Sequence, residues 1–492
     1  MMNRKQFFFF FSIYFLIRVF SFYFNPPTPL LHGSTINTAL SLIILGLASY
    51  WMIKGDLRGW LIVAAEIVFC GSGNILSIFS VSLRTALLAA SLSIYFVRAW
   101  RKDKLNSIIR FKLPNILIFL LIDWAAIAAV IGAWHGHQIS LIFSDFIPYL
   151  FFLYYFPLVA LLKSDKFKAI CFNMLIAAIV ANAFFVICSF IAFYTGQSVL
   201  QDGYYHWFRD VAQGKITVLG YNFFRIVLNE HLVLVPILLF FAYRNMRRPD
   251  RINDLCIVSC TALLSLNLTR IYLLALLAGL FILFSKKYLR QWLLNSFILL
   301  SCIFIFYTGF SLLSSKGQNP GWSYFGFRAF SIVMPETEFS SLSRMILLPQ
   351  ILYKIQLAPI FGHGLGDTVT VHSNYFSGSI ITTPQFDWGF LEIIDETGAI
   401  GFILWLAIIF YILRVSKKNM GDFRPLYASI LSALLIINIT SPALFHVLGI
   451  ITLTLLMALG RAFSAPPTGT LQSEEPLLIS NEDGKQTLAS TG

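Results

Sequence analysis

Apolar residues occur along this chain in runs of about 20, separated by short polar gaps and without alternation of polar and apolar positions. Hydrocarbon offers the backbone no water, so a chain that crosses it forms helices or a closed barrel, and unbroken runs of this length indicate helices. The pattern predicts an all-α polytopic membrane protein with about 14 transmembrane helices. The predicted spans are residues 7–24, 36–53, 59–78, 82–99, 114–134, 144–162, 169–193, 223–243, 252–269, 271–285, 291–313, 397–413, 425–443 and 446–463.

A long polar interval, rich in glycine and aromatic residues, interrupts this pattern between Gln318 and Trp405. Within it, residues 340–357 have the amphipathic pattern of a helix that lies on a membrane surface. The pattern predicts four parts. Residues 1–313 contain transmembrane helices 1 to 11 and an outward loop at 194–222. Residues 314–396 form a large outward loop with amphipathic helices and the candidate functional residues. Residues 397–463 contain helices 12 to 14, and residues 464–492 form a disordered cytoplasmic tail.

Basic residues are concentrated in every second gap between the predicted spans. The two termini and these gaps hold all but ten of the 36 Lys and Arg residues. Because cytoplasmic loops carry an excess of Lys and Arg, we expect both termini in the cytoplasm and residues 314–396 on the outer side. No small-residue cleavage site follows the first apolar run, so we expect it to be retained as a span. The net charge of +13 therefore indicates topology rather than nucleic-acid binding.

Composition agrees with a membrane protein, since 58% of residues are hydrophobic and only 12% are charged. All six cysteines lie inside apolar runs, without the spacing of a disulfide framework or a zinc site. We therefore predict neither a metal site nor a cofactor.

Three arginines lie at the outer ends of predicted spans or in the outward interval, against the orientation rule. They are Arg225 in YNFFRIVLNEHL, Arg270 in LNLTRIYLLA and Arg344 in SSLSRMILLPQ. Guanidinium groups bind diphosphates in a bidentate manner, so these residues could hold an anionic lipid-linked ligand. The alternative is that each side chain extends to lipid headgroups or pairs with a nearby acid.

The segment FGHGLGDT follows the amphipathic pattern and contains Gly362, Gly364 and Gly366. Glycines at this spacing allow backbone N–H groups to converge on an anion, which makes Gly364 and Gly366 candidate substrate-binding residues. A tight turn without a ligand is the alternative.

Two residues are candidates for a general base, His372 in TVHSNYF and Asp387 in QFDWGF. Transfer of a sugar to a hydroxyl group benefits from a base positioned to take its proton. Alternatively, His372 is an ordinary loop histidine and Asp387 caps the helix that follows. On that helix, Glu392, Asp395 and Glu396 could balance the charge of the arginines or form a hydrated face.

Several ionisable residues fall inside predicted spans, where charges are costly and usually paired. Glu66 and Arg84 lie on adjacent spans and are the expected pair. Glu230 and His231 follow Arg225 closely enough to line the same cavity. The full set is Arg18, Glu66, Arg84, Asp123, Asp145, Glu230 and His231.

Four features resemble the O-antigen ligase and O-antigen polymerase superfamily of bacterial envelope glycan enzymes, which also includes protein O-oligosaccharyltransferases. LNLTRIYLLALLAG resembles the S/T-R span of the family, and SRMILLPQILYKIQLAPIFGHGLG resembles its segment with Arg and then Pro-hydrophobic-Gly-x-Gly. FLEIIDETGAIGF, with Glu396, resembles its Glu-x-Gly motif. The long outward loop lies at the place in the chain where members of the family also have a long outward loop. The resemblance covers mainly residues 220–415.

One position departs from the ligases of the family, which usually have a catalytic His about nine residues before that glutamate. Here Asp387 occupies this position, and His372 lies further upstream. The sequence thus looks more like polymerase-type members, although His372-Ser373-Asn374-Tyr375 still resembles the histidine motif.

The resemblance implies transfer of glycan units from a polyprenyl-diphosphate donor to an acceptor sugar hydroxyl at the outer face of the bacterial cytoplasmic (inner) membrane. Arg225, Arg270 and Arg344 would hold the diphosphate, and Asp387 or His372 would act as the base, without a metal. The expected partners are the lipid-linked donor, a glycan or lipid acceptor, membrane lipids and other polysaccharide export components. Polymerase is narrowly favoured over ligase, and protein glycosyltransferase stays open. The alternative from another class is a transporter or flippase of lipid-linked oligosaccharides, which would have inverted repeats that the sequence does not show.

Overall fold

The computed structural model describes residues 4–25, 34–103, 112–219, 222–330, 334, 339–372, 380–384 and 386–462. The predicted tail at 464–492 lies outside these residues, and so does the Ser373–Ser379 part of the histidine motif.

Helices account for most of the described chain, as the unbroken apolar runs predict. Polar residues of the gaps begin several of them: Ser34, Asp56 and Ser164 each accept a hydrogen bond from a backbone N–H of the first turn. The bounds are Arg4–Phe24 (α1), Thr35–Lys54 (α2), Leu57–Phe69 (α3), Leu83–Arg101 (α4), Leu113–Trp134 (α5), Ile139–Leu150 (α6), Tyr155–Leu161 (α7), Asp165–Tyr194 (α8), Gly203–Asp210 (α9), Leu234–Arg247 (α10), Arg251–Asn267 (α11), Arg270–Ile282 (α12), Leu289–Ser314 (α13), Trp322–Phe330 (α14), Phe339–Leu357 (α15), Gly389–Asn419 (α16), Arg424–Thr440 (α17) and Val447–Ala462 (α18).

Three antiparallel hairpins of two strands each occur in the described part of the chain. They are Ser77–Ile78 (β1) with Val81–Ser82 (β2), Lys215–Val218 (β3) with Phe224–Val227 (β4), and Val369–His372 (β5) with Ile380–Thr383 (β6). In the last hairpin, His372 pairs with Ile380. These hairpins are short connections beside a helical bundle, so the all-α class stands.

Eight helical segments of the described chain are long and apolar enough to cross a membrane, judged by length and composition. The protein is therefore a multi-pass membrane protein. Two further apolar helices, α12 and α18, are shorter. The eight segments are Arg4–Phe24, Thr35–Lys54, Leu113–Trp134, Ile139–Leu161, Asp165–Tyr194, Lys286–Ser314, Gly389–Lys418 and Gly421–Thr440. The count of 14 spans stays a prediction.

The eighth predicted span, residues 223–243, differs most from its expected form. Its first part is strand β4, a 3-10 helix follows at Asn229–Val233, and only α10 continues as an α-helix. Several β-branched and aromatic residues lie in FFRIV, and the polar Asn229, Glu230 and His231 come next. These features favour a strand and a turn over a continuous helix.

Two buried ion pairs hold the amino-terminal half together. Arg84 Nε donates to Glu66 Oε2 at 2.8 Å, which confirms the pair expected from adjacent spans. Arg18 Nη2 donates to Glu230 Oε1 at 2.6 Å, so Glu230 serves a second pair. Both pairs lie at Gly71, whose carbonyl oxygen accepts from Arg84 and whose missing side chain leaves room for the Glu230 carboxylate. Each charge is thus neutralised inside the bundle, as burial requires.

Helix α16 is broken at Gly398, where φ is 64° and ψ is −173°. The break frees backbone groups that a continuous helix would pair, and other segments bind them. His363 N–H donates to the Asp395 carbonyl at 2.7 Å and Gly364 N–H donates to the Glu396 carbonyl at 3.0 Å. On the other side of the break, Ala399 N–H donates to the Pro359 carbonyl at 2.9 Å. The segment 359–364, called the docking segment below, therefore completes the hydrogen bonding of α16.

The indole of Trp124 on α5 binds the same break by donating to the Thr397 carbonyl at 2.8 Å. A side chain at Gly398 would overlap the carbonyl group of Ile360, and one at Gly364 would overlap the backbone of Gly132. Both glycines are therefore required by close backbone approach as well as by positive φ.

We predict that Gly398→Ala destabilises the protein much more than Gly196→Ala. Both positions have positive φ, so each alanine costs about 1 kcal/mol of backbone strain. Only Gly398 lacks space for a methyl group, and the overlap with the docking segment adds about 1–3 kcal/mol. Thermal unfolding of the purified protein in detergent measures the difference. Equal losses of Tm for the two variants would contradict the docking described above.

Candidate functional site

Arg225 lies on β4 and binds the junction between α11 and α12. Its Nε donates to the carbonyl oxygen of Asn267 at 2.6 Å, and its Nη2 donates to Oγ1 of Thr269 at 2.8 Å. Thr269 immediately precedes α12, whose first residue is Arg270. The guanidinium group of Arg225 is therefore held against the backbone that carries Arg270.

Arg270 and Arg344 are connected through α15. Nη2 of Arg270 donates to Oγ of Ser341 at 2.7 Å. Arg344 lies three residues further along the same helix, a spacing that places two residues on one face. The described contacts thus connect the segments that carry the three arginines predicted from the sequence, and we call Arg225, Arg270 and Arg344 the arginine cluster.

A strained turn supports the cluster. Leu268, between α11 and α12, has φ of 47°, a conformation that costs a residue with a Cβ about 1–2 kcal/mol. Asn267 Nδ2 donates to Nδ1 of His231 at 3.0 Å, and the backbone N–H of Leu228 donates to the same nitrogen at 3.3 Å. His231 and Asn267 are fully buried. Since Nδ1 of His231 accepts, the ring is neutral with its proton on Nε2, and the pair fixes the turn that Arg225 binds.

The sequence had placed His231 beside Arg225 but had missed Asn267, which joins them. An asparagine directly before a Leu-Thr-Arg helix junction is the signal that could have identified it, because asparagine side chains commonly bind nearby backbone groups at turns. Glu230, the other residue expected near Arg225, instead pairs with Arg18.

Asp387 lies beside the arginine cluster at the start of α16. Its Oδ2 is 3.7 Å from Nε of Arg344, and Nε1 of the adjacent Trp388 donates to the Arg344 carbonyl at 3.2 Å. The Asp387 side chain is 46% exposed, so a substrate can reach it. Its φ of 56° is a conformation that aspartate tolerates better than most residues. In the described part of the chain, Nε of Arg344 makes no hydrogen bond.

His372 ends strand β5 and is exposed. Its described contact is the backbone pairing with Ile380, and no described contact joins it to Arg344 or to Asp387. Strand β5 packs on α15 through a small core of Leu347, Ile351, Val369 and Phe386. Of the two candidate bases, Asp387 is the one that the described contacts join to the arginine cluster.

The glycine segment binds the protein itself. The Gly364 amide donates to the Glu396 carbonyl at 3.0 Å, as described above. The Gly366 amide donates to Asp145 Oδ2 at 3.1 Å and to Glu396 Oε1 at 3.2 Å. The Gly366 amide thus meets two side-chain carboxylates, whereas the Gly364 amide binds a backbone carbonyl. These contacts of Gly364, Gly366 and Glu396 fasten the glycine segment to α16 and to Asp145, and the role of the three residues in substrate binding stays a prediction.

Acidic side chains are buried along the same turn of α16. Glu392, Asp395 and Glu396 are each at most 5% exposed, so they do not form a hydrated helix face. They face the docking segment and Asp145, whereas Asp387 is the acid that contacts Arg344. The expectation that the three balance the arginine cluster therefore has no described contact to support it.

A second charged group lies next to these acids. His363 Nδ1 is 3.2 Å from Asp395 Oδ1, and His137 Nε2 is 3.4 Å from Asp367 Oδ1. The ammonium group of Lys354 contacts Asp367 Oδ2 and donates to the Thr368 carbonyl at 2.9 Å. Burial acts to raise the pKa of Asp367, but its interactions with Asp395 and Lys354 outweigh burial and hold this pKa below the usual value.

No protein-family model matches the chain, and no curated protein matches it significantly. A functional assignment therefore depends on the residues and contacts described above.

We predict that Asp367→Asn lowers Tm at neutral pH and that this loss shrinks as the pH falls. The folded-state pKa of Asp367 is lowered, so its contribution to stability is full above its unfolded pKa of about 4 and is lost as the pH falls through the folded value. Tm measured from pH 7 to pH 3 tests this.

Asp165→Asn is the matched control, because Asp165 also pairs with a lysine, Lys168 at 2.6 Å, yet its side chain is 95% exposed. Exposed ion pairs contribute little, so this variant should match the parent at every pH. A gap between Asp367→Asn and the parent that stays constant across the range would refute the proposed ionic contact.

Proposed function

We propose that this protein is a membrane glycosyltransferase that moves glycan units from a polyprenyl-diphosphate donor to an acceptor sugar hydroxyl. Within that class, a polymerase of O-antigen or exopolysaccharide is narrowly favoured over an O-antigen ligase, because Asp387 stands where ligases of the resembling family have histidine. The observation that supports the proposal is the arginine cluster, three arginines on segments that short contacts connect, with the exposed carboxylate of Asp387 beside Arg344.

The arginine cluster suits the diphosphate of the donor. Guanidinium groups present paired N–H donors that match phosphate oxygens, and they keep their charge at any physiological pH. When the bond between the anomeric carbon and the diphosphate oxygen breaks, negative charge develops on the leaving diphosphate. Preorganised cations at that place stabilise the transition state more than the ground state. This is the main catalytic contribution that we assign to Arg225, Arg270 and Arg344.

Asp387 is the proposed general base. The acceptor hydroxyl oxygen attacks the anomeric carbon, its proton passes to the Asp387 carboxylate, and the polyprenyl diphosphate departs with the electrons of the broken bond. Contact with Arg344 couples the two functions, since the cation that holds the donor also orients the carboxylate that activates the acceptor.

The proposed location is the bacterial cytoplasmic membrane, with 14 spans, both termini cytoplasmic and the arginine cluster on the outer side. The packing of two distant segments supports this topology. The charge pattern places both the gap after the fifth predicted span, with His135 and His137, and the interval 314–396 on the outer side. In agreement, His135 Nδ1 lies 2.8 Å from the His363 carbonyl and His137 Nδ1 lies 3.0 Å from the Leu365 carbonyl.

We predict that Arg270→Ala and Arg344→Ala each reduce glycan transfer by about 10²–10³-fold, the usual effect of removing one group that stabilises transition-state charge. The purified protein is mixed with a polyprenyl-diphosphate oligosaccharide, and lengthened lipid-linked products are measured. Arg209→Ala is the control, because Arg209 is exposed and pairs with its neighbour Asp210.

Lengthened products from the parent protein would distinguish a polymerase from a ligase, which needs a separate acceptor, and from a transporter or flippase, which leaves the donor unchanged. Parental rates in both cluster variants, at normal protein levels, would end the proposal that these residues bind the diphosphate.

We predict that Asp387→Asn reduces transfer by about 10²–10⁴-fold while His372→Ala changes it little. The asparagine keeps the size of the side chain and removes only its ability to accept a proton. The same assay measures both variants. An inactive His372→Ala together with an active Asp387→Asn would assign the base to the histidine.

A further inference from the structure

Metal-ligating side chains from three segments meet where the docking segment contacts α16. His363 Nδ1 and carboxylate oxygens of Asp367 and Asp395 all lie within 4.8 Å of one another. His137, from the connection between α5 and α6, brings its Nε2 to 3.4 Å from Asp367 Oδ1. These four side chains are called the His/Asp cluster below. None belongs to the arginine cluster or contacts it in the described part of the chain.

The hydrogen bonding of His137 indicates that something positive lies between its ring and Asp367. Nδ1 of His137 is 3.0 Å from the Leu365 carbonyl, an acceptor, so this nitrogen carries a proton. In the neutral ring, Nε2 is then a lone pair that faces a carboxylate oxygen. Two acceptors at 3.4 Å repel each other unless a proton or a metal ion lies between them. A backbone carbonyl bound to the far nitrogen is also the usual partner of a metal-ligating histidine.

Asp395 provides a second, independent observation. Its side chain is fully buried, and its Oδ2 receives no hydrogen bond from a described N–H group; the neighbouring carboxylate of Asp367 can bind it only through a shared proton or a cation. A buried carboxylate oxygen left in this state costs free energy unless a cation or a proton satisfies it. Oδ1 of the same group points to His363 at 3.2 Å, so the carboxylate is directed into the His/Asp cluster.

We propose that the His/Asp cluster binds a divalent transition metal ion of the zinc type, with His363, Asp367, Asp395 and His137 as ligands. Imidazole nitrogen and carboxylate oxygen are both common zinc ligands, at about 2.0–2.2 Å. Tetrahedral geometry at that bond length separates neighbouring ligand atoms by about 3.4 Å. The separations of 3.2 Å for His363 and Asp395 and of 3.4 Å for His137 and Asp367 match this value.

The role of the ion is structural. It would join the connection after α5, the docking segment and α16, which are far apart in sequence. Lys354 contacts Asp367 Oδ2, so its ammonium group competes with the ion for one carboxylate. The rival occupant of the His/Asp cluster is therefore a set of protons, one on His137 Nε2 and one shared by the two aspartates.

Metal content and metal affinity distinguish these two occupants without any activity assay. The full chain is purified in detergent, stripped with a chelator, titrated with Zn²⁺ and desalted, and the retained metal is measured by elemental analysis. We expect one equivalent per chain and a higher Tm in its presence. Co²⁺ in place of Zn²⁺ should give the visible absorption of a tetrahedral site.

Asp395→Asn and His363→Ala should lose the bound metal equivalent. Because Asp395→Asn is nearly isosteric, we expect it to fold, and a monodisperse elution profile checks this. His135→Ala should retain it, because the described hydrogen bond of His135 goes to the His363 carbonyl and no described contact joins its ring to Asp367 or Asp395. Lys354→Ala should bind Zn²⁺ about tenfold more tightly or better, since the competing ammonium is removed.

Failure of both the parent and Lys354→Ala to retain metal would overturn the proposal and leave protons as the occupants. Equal loss of metal from His135→Ala and His363→Ala would also overturn it, because binding would then depend on surface histidines.

Discussion

The break of α16 at Gly398 is the feature on which the rest of the site depends. A helix interrupted inside a bundle leaves carbonyl and amide groups without partners, and each unpaired buried group costs about 1–3 kcal/mol. Here the carbonyls of Asp395, Glu396 and Thr397 accept from the docking segment and from Trp124. The two glycine motifs therefore share one contact, since Gly398 leaves room for the carbonyl group of Ile360 and Gly362 leaves room for the backbone of Glu396 and Gly398.

This contact also fixes the arginine cluster. Helix α15 carries Ser341 and Arg344 and leads directly into the docking segment, so the fastening of residues 359–364 sets where α15 ends. The other end is set by the hydrogen bond from Arg270 and by the small core that α15 shares with β5 and the start of α16. Asp387 precedes the same helix that is broken at Gly398. The residues proposed for catalysis, Arg344 and Asp387, are thus distinct from the residues that fasten α16, but both sets lie on or next to α15 and α16.

Much of the helical fold follows from the sequence, because apolar length alone determines which segments can cross a membrane. The Glu66–Arg84 pair was predictable for the same reason, since consecutive spans are neighbours. The Arg18–Glu230 pair was not, because 212 residues separate its members and neither motif nor spacing relates them. The strand at Arg225 was missed because an apolar run of β-branched and aromatic residues fits a buried strand as well as a span.

The candidate site was predicted in part. Arg225, Arg270 and Arg344 stood out because cations on the predicted outer side of a membrane need a reason, and the described contacts connect the segments that carry them. The sequence identified the glycine segment but not the groups that its amides bind. A carboxylate of the protein and a phosphate of a ligand both accept hydrogen bonds from backbone amides, so the spacing of the glycines cannot distinguish them. His363 and Asp367 gave no signal, since ligands contributed by three distant segments have no spacing in sequence.

The hydrogen bonds from Leu365 to Ala128 and from Gly366 to Asp145 have a consequence for biosynthesis. Gly366 and Asp145 are 221 residues apart, so at usual elongation rates the acceptor is made on the order of 10–40 s before its donor. During that interval Asp145 has neither the glycine amide nor Glu396 beside it. Its carboxylate therefore needs another partner, such as water, until the ribosome delivers the last third of the chain.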